Sequence, residues 1–218
     1  MRIAGVDEVG RGPLAGPVVA AAAVFEEGYV NPAIKDSKKL SARARENLIE
    51  IIKRDALSWS IVAVGHHRID EINIREASRL AMKLAVERVD ADFVLVDGNV
   101  PIDITIPQRT VIKGDALHVE ISAASILAKV WRDDCMKVLE AKYPGFGLAG
   151  HAGYPTEKHR AAIKELGPSP IHRRSFAGVK EYTHIEWRGV TTEKSRDTPP
   201  FIAPSPFTEQ ILIFSKDT

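Results

Sequence analysis

The sequence predicts one α/β domain built on a mixed β-sheet, and three observations carry that expectation. Short apolar runs of strand length dominate the first hundred residues, while amphipathic helical patterns dominate after residue 114. The run of alanines within residues 18–25 also suggests a strand closely covered on both faces. Finally, 218 residues at 44% hydrophobic supply one real core with at most a small appendage.

In chain order, residues 2–25 read as two strands joined by the turn Gly10-Arg11-Gly12-Pro13. The second, Val18 to Phe25, holds four consecutive alanines, as suits a strand covered closely on both faces. Lys35 to Leu40 is a polar loop before a helix capped near Ser41, with Leu48, Ile51 and Ile52 on one face. A third strand spans 58–64, and 72–89 reads as a helix with Ile72, Ala77, Leu80, Ala81, Leu84 and Ala85 inward. Residues 93–97 form a short buried strand stopping at Asp97-Gly98, and another strand lies around 109–112. A long helix runs from Ile121 to about Lys142, opening on Ser122-Ala123-Ala124-Ser125. A glycine-rich segment follows, then a helix from Thr156 to Leu166 stopped by Gly167-Pro168. Residues 183–218 carry four prolines and no amphipathic period, so they read as a flexible tail outside the core of residues 1–182.

Composition excludes several classes. Net charge is +1, so a nucleic-acid surface must be local. The single cysteine, Cys135, rules out an internal disulfide and a cysteine-based zinc site, which fits a reducing compartment. The longest apolar run is too short to span a bilayer. The chain therefore reads as a cytoplasmic, non-membrane protein, and nothing demands more than a monomer. No Walker A loop, GxSxG elbow or HExxH pair occurs.

The chemistry concentrates at strand ends. Asp7-Glu8 closes an apolar strand and is followed at once by Gly10-Arg11-Gly12. Adjacent acids repel and call for a cation, while the glycine-flanked arginine offers bare backbone N–H groups and a guanidinium for phosphate. A second Asp-Glu pair, Asp70-Glu71, lies in a surface-helix context, so position and not the dipeptide carries the signal. Asp97 has the placement of Asp7, although Asp-Gly is also a common turn pair. Asp115 in Lys113-Gly114-Asp115 reads equally as a helix cap, and Asp133 as a solvated partner for Arg132. Three or four such acids on one sheet suit two Mg²⁺ or Mn²⁺ ions in phosphodiester hydrolysis. On the substrate side, residues 151–182 hold six Lys/Arg against three acids, including the basic run 172–174. Taken by itself, that balance reads first as an ordinary solvated helix and loop. Tyr154, fixed between Gly153 and Pro155, suits stacking on a sugar or base, or a place in the core. Ser37, Lys38 and Lys39 offer a hydroxyl and two ammonium groups for phosphates.

These motifs, in order, resemble ribonuclease HII, the bacterial type 2 ribonuclease H. The matching blocks are Gly5 to Gly12, Asp36 to Ser41, Val96 to Asn99, Val111 to Asp115, Ser122 to Val130, His151 to Thr156 and His172 to Phe176. They span residues 2–182. The resemblance implies a ribonuclease H-like mixed sheet flanked by helices, with a helical C-terminal portion and an extra tail. It implies cleavage of RNA in RNA–DNA hybrids and incision 5′ of single ribonucleotides in duplex DNA, leaving 3′-hydroxyl and 5′-phosphate ends. Under it Asp7, Glu8, Asp97 and Asp115 are the metal-binding catalytic acids, with Asp133 the rival of Asp115. Gly10, Arg11 and Gly12 read the ribose 2′-hydroxyl and its phosphates, Tyr154 stacks on the sugar at the junction, and Lys38 touches a phosphate. Gln210 to Phe214 resembles the peptide by which bacterial replication and repair proteins dock on the sliding clamp; the same residues read also as a random apolar patch or an edge strand. The alternatives are another nuclease of the ribonuclease H-like superfamily acting on DNA junctions, and a non-catalytic nucleic-acid-binding module.

Overall fold

The structure, a computed structural model, describes residues 1–35, 42–189 and 211–216. Its centre is a mixed sheet of six strands: β1 (Ile3–Val9), β2 (Val18–Phe25), β3 (Ser58–Val64), β4 (Phe93–Asp97), β5 (Gln108–Val111) and β6 (Ile211–Ser215). They lie in the order β5-β4-β1-β2-β3-β6. β1 is antiparallel to β2 and parallel to β4, and β4 is parallel to β5.

Every residue of β2 is buried, as its alanines require. Val19, Ala21, Ala23 and Phe25 face the layer of α5 (Val119–Lys142), while Val18, Ala20, Ala22 and Val24 face that of α3 (His66–Val86). Small side chains let both helices come close, and Gly5 on β1 goes furthest. A Cβ there would run into the Glu120–Ile121 backbone at the start of α5. Helices α1 (Pro32–Lys35), α2 (Ala42–Asp55), α4 (Gly114–Leu117), α6 (Leu148–His151) and α7 (Glu157–Leu166) complete the layers. Thr156 caps α7 by accepting the His159 N–H, and Gly167, at φ 74, ends it.

Two expectations are revised. α3 begins at His66 rather than at residue 72, because a short first segment is joined to the main helix across Asn73. Asn73 has a left-handed backbone (φ 67), and its side chain accepts the N–H groups of Arg75 and Glu76, capping the segment that the apolar period announces. Residues 183–218 are also not wholly outside the core. Trp187 packs edge-on to Tyr143, and β6 pairs antiparallel with β3 from Ser60↔Ser215 to Val64↔Ile211. Leu212 and Phe214 pack on the α5 side, Phe214 5.6 Å from the Trp131 ring, while Ile213 packs on the α3 side. That period-2 alternation is what a strand completing an open sheet edge requires. Among the described residues no helix is long and apolar enough to cross a membrane.

Candidate active site

Asp7 and Asp97 owe their proximity to the sheet. β1 and β4 run parallel with Val6 opposite Val96, so the next residue on each strand is an aspartate, side by side at the carboxyl ends. Glu8 follows on β1. All three line a cavity of about 380 Å³ together with Val9, Arg45, Ser125, Ile126 and Lys129. Asp7 is 8% exposed. Its carboxyl is pushed up to about 7, chiefly by burial and then by the charge of Asp97, with the Ser125 hydroxyl opposing. Burial raises Glu8 as well, against the Arg11 guanidinium 3.3 Å away. One Asp97 oxygen accepts the Gly114 N–H at 2.8 Å, tying β4 to α4.

The donor set suits a hard cation. Asp7 and Glu8, raised first by burial and then by the charge of Asp97, are the kind of carboxyls that a divalent ion relieves. Among the described residues no three acids or imidazoles already converge on one point. Ions here would be held by one or two carboxylates each, with water and substrate phosphates filling the shell, which is the habit of magnesium. Asp115 is buried on α4, next to the residue that binds Asp97, but it does not line the cavity. Asp133 pairs with Lys129 at 2.7 Å and lines a second cavity of about 350 Å³.

That second cavity is lined by Tyr154 and adjoins the first, with Arg45 and Lys129 lining both. Gly12 lies directly under the ring; a Cβ at Gly12 would stand 3.5 Å from Tyr154 Cε1. The Gly10–Gly12 turn, Tyr154 and the acids are thus brought to one face. Lys38 lies outside the described residues.

Sequence reasoning missed the supports beneath this face. The run 172–174 reads as a surface patch, yet His172 and Arg173 are fully buried and only Arg174 is exposed. His159 Nδ1 is 3.0 Å from the Tyr154 carbonyl, which only accepts, so this nitrogen carries the proton and Nε2 is free to accept. His172 Nε2–H then donates to it at 3.0 Å, and the Ser169 hydroxyl donates to His172 Nδ1 at 2.8 Å. Burial lowers His159 to about 4 and His172 to about 3, which keeps both neutral and the chain intact. Asp70, in the acid pair set aside as surface, accepts the N–H groups of Arg174 and Ser175 and the Ser175 hydroxyl.

Comparison with known proteins points to one family and fold. The family model of ribonuclease HII matches residues 4–179. Ribonuclease HII of Syntrophotalea carbinolica is 49% identical over 183 residues, covering 83% of this chain and 88% of its own. Among solved structures, the ribonuclease H2 of Pyrococcus horikoshii superposes with a TM-score of 0.73 at 29% identity, over 84% of this chain and 98% of that one. The ribonuclease HII of Archaeoglobus fulgidus, solved as a complex with PCNA, superposes at 0.70 and 26% identity, over 81% and 96%. The matched segment carries every strand that positions the acids and excludes only β6, and on that footing the chain belongs to the ribonuclease HII family, whose members are endoribonucleases.

Proposed function

We propose that this chain cleaves RNA in RNA–DNA hybrids and incises 5′ of single ribonucleotides in duplex DNA, leaving 3′-hydroxyl and 5′-phosphate ends. The observation that carries the reading is the cavity lined by Asp7, Glu8 and Asp97, beside a second that shares Arg45 and Lys129 with it and is lined by Tyr154, whose ring stands over Gly12. Asp7, Glu8 and Asp97 would hold two divalent cations, Mg²⁺ or Mn²⁺, with Asp115 completing the set from α4. Bound there, the cations would activate water and stabilise the leaving 3′ oxygen. The glycines of the turn allow a sugar to approach the backbone closely, and the 2′-hydroxyl is the group that separates RNA from DNA. Tyr154 offers a ring for the sugar at the junction, while Arg45, Lys129 and Lys38 offer cations for phosphates. We place the protein in the cytoplasm, acting as a monomer.

The test is a DNA duplex with one embedded ribonucleotide, incubated with Mg²⁺ or Mn²⁺. Cutting 5′ of the ribonucleotide is expected, with a loss of at least about 100-fold in Asp7→Asn. Cutting of all-DNA junctions instead would select a different nuclease. Binding without cutting, unchanged in Asp97→Asn, would select a non-catalytic binding module.

A second reading concerns Gln210–Phe214 as a sliding-clamp peptide, in keeping with the archaeal relative solved with PCNA. Phe214 packs against Trp131 of α5 while β6 pairs with β3, so docking requires β6 to leave its edge. Clamp pull-down by the whole chain, lost in Gln210→Ala plus Phe214→Ala, supports docking; no pull-down by the parent ends it.

A further inference from the structure

Two arginines lie wholly inside the protein, and all their hydrogen bonds go to carbonyl oxygens; Arg173 also lies over the Phe176 ring, 5.0 Å from its centroid. Arg173 Nε donates to Gly16 at 3.0 Å, Nη1 to Arg11 at 3.0 Å and Pro13 at 2.8 Å, and Nη2 to Gly10 at 2.6 Å. Arg132 donates to the carbonyls of Pro17 at 3.0 Å, Ala152 at 2.9 Å and Ala15 at 3.3 Å. Both residues are 0% exposed, and neither belongs to an ion pair among the described residues. Burial lowers both guanidiniums from their ordinary value. An unpaired buried charge is strongly disfavoured unless hydrogen bonds satisfy it. A hydrophobic residue would fill the space but leave those carbonyls without a donor, so the work of the fork is to hold them in place.

The positions of the accepting carbonyls suggest which. Gly10 lies between the two arginines. Its positive φ of 93 is open to glycine, a Cβ there would strike Arg132 Nε, and its carbonyl is held by Arg173. In a trans peptide the N–H of each residue points opposite to the preceding carbonyl. Holding the Gly10 and Arg11 carbonyls inward therefore turns the N–H groups of Arg11 and Gly12 outward, on the face where Tyr154 stands over Gly12. Neither N–H meets an acceptor among the described residues.

We propose that Arg173 is a positioning residue for ribose discrimination: from inside the protein it binds the carbonyls of Gly10 and Arg11 and so aims the Arg11 and Gly12 N–H groups at a substrate 2′-hydroxyl. The inference rests on the reading of Gly10–Gly12 given above. Arg132 supports the same loop from its other side, and Asp70 fixes the backbone directly after Arg173.

The test measures binding in an Asp97→Asn background, which prevents cutting. Fluorescence anisotropy compares a DNA duplex holding one ribonucleotide with the same duplex made wholly of DNA. The background protein is expected to prefer the ribonucleotide. Arg173→Lys keeps a buried cation but lacks the fork; it should bring the preference to within about twofold of one, with all-DNA affinity changed less than about threefold. Ile163→Val, a core change on α7, should lower stability and keep the preference. A folded Arg173→Lys protein with its preference intact overturns the proposal. Should Arg173→Lys fail to fold, Asp70→Ala decides, because it frees the turn that carries Arg173; a preference unchanged there overturns the proposal equally. A background protein without any preference removes the 2′-hydroxyl reading, and this inference with it.

Discussion

Asp7 sits where burial and a like charge both oppose its ionisation, and this sets a measurable pH dependence. The unfolded chain releases the Asp7 proton near pH 4, while the folded, metal-free protein releases it only near pH 7. Between those values the folded state binds more protons, so this residue makes stability fall as pH rises. Asp7→Asn should therefore stabilise the metal-free protein by about 2–4 kcal/mol at pH 8 and change it little at pH 4. Urea denaturation in a chelator checks this; equal shifts at both pH values would mean that packing, not charge, is responsible. Asp7, Glu8 and Asp97 were legible in the sequence because an acid ending an apolar strand before a glycine is a local signal. Arg132 and Arg173 were not, because their acceptors lie more than a hundred positions away, apart from Ala152. A basic residue whose partners are distant carbonyls looks the same in sequence as one in water.

At the scale of elements, the approach of α5 to β1 depends on one glycine. Gly5 has the Glu120–Ile121 backbone where a side chain would be, and backbone cannot swing aside as a flexible side chain can. Gly5→Ala should cost about 1–3 kcal/mol, since it overpacks the sheet–helix contact. It should also lower cutting more than it lowers stability, because Ser125 on α5 and Asp7 on β1 would part. Thermal denaturation beside the cleavage assay checks both; wild-type activity in a destabilised variant would contradict the second. Element types and most boundaries followed from periodicity, with α3 and β6 the exceptions. Asn73 hides a helix start inside a polar stretch, and Ile211–Ser215 has no visible partner until β3 is known to lie at an edge.

Across the whole molecule, three buried imidazoles make the fold acid-sensitive. His66 and His159 are lowered to about 4 and His172 to about 3, chiefly by burial. The unfolded chain binds protons at these sites from about pH 6.5 downward and the folded chain does not, so they make stability fall as pH drops toward 4. Together they should outweigh the opposite effect of Asp7. His66→Gln, which removes a ring nitrogen buried without a partner, should take away about a third of the imidazole contribution and so about half of the net loss between pH 6.5 and 4. A slope unchanged from the parent in a folded variant would exclude His66 from it. The parallel pairing of β1 with β4 has a consequence of its own. Adjacent strands lie about 4.8 Å apart in any sheet, so the interval between Asp7 and Asp97 is a lattice constant of the β-structure. Loops could lengthen, helices could be exchanged and the tail could come or go, and the gauge of the cation site would stay the same.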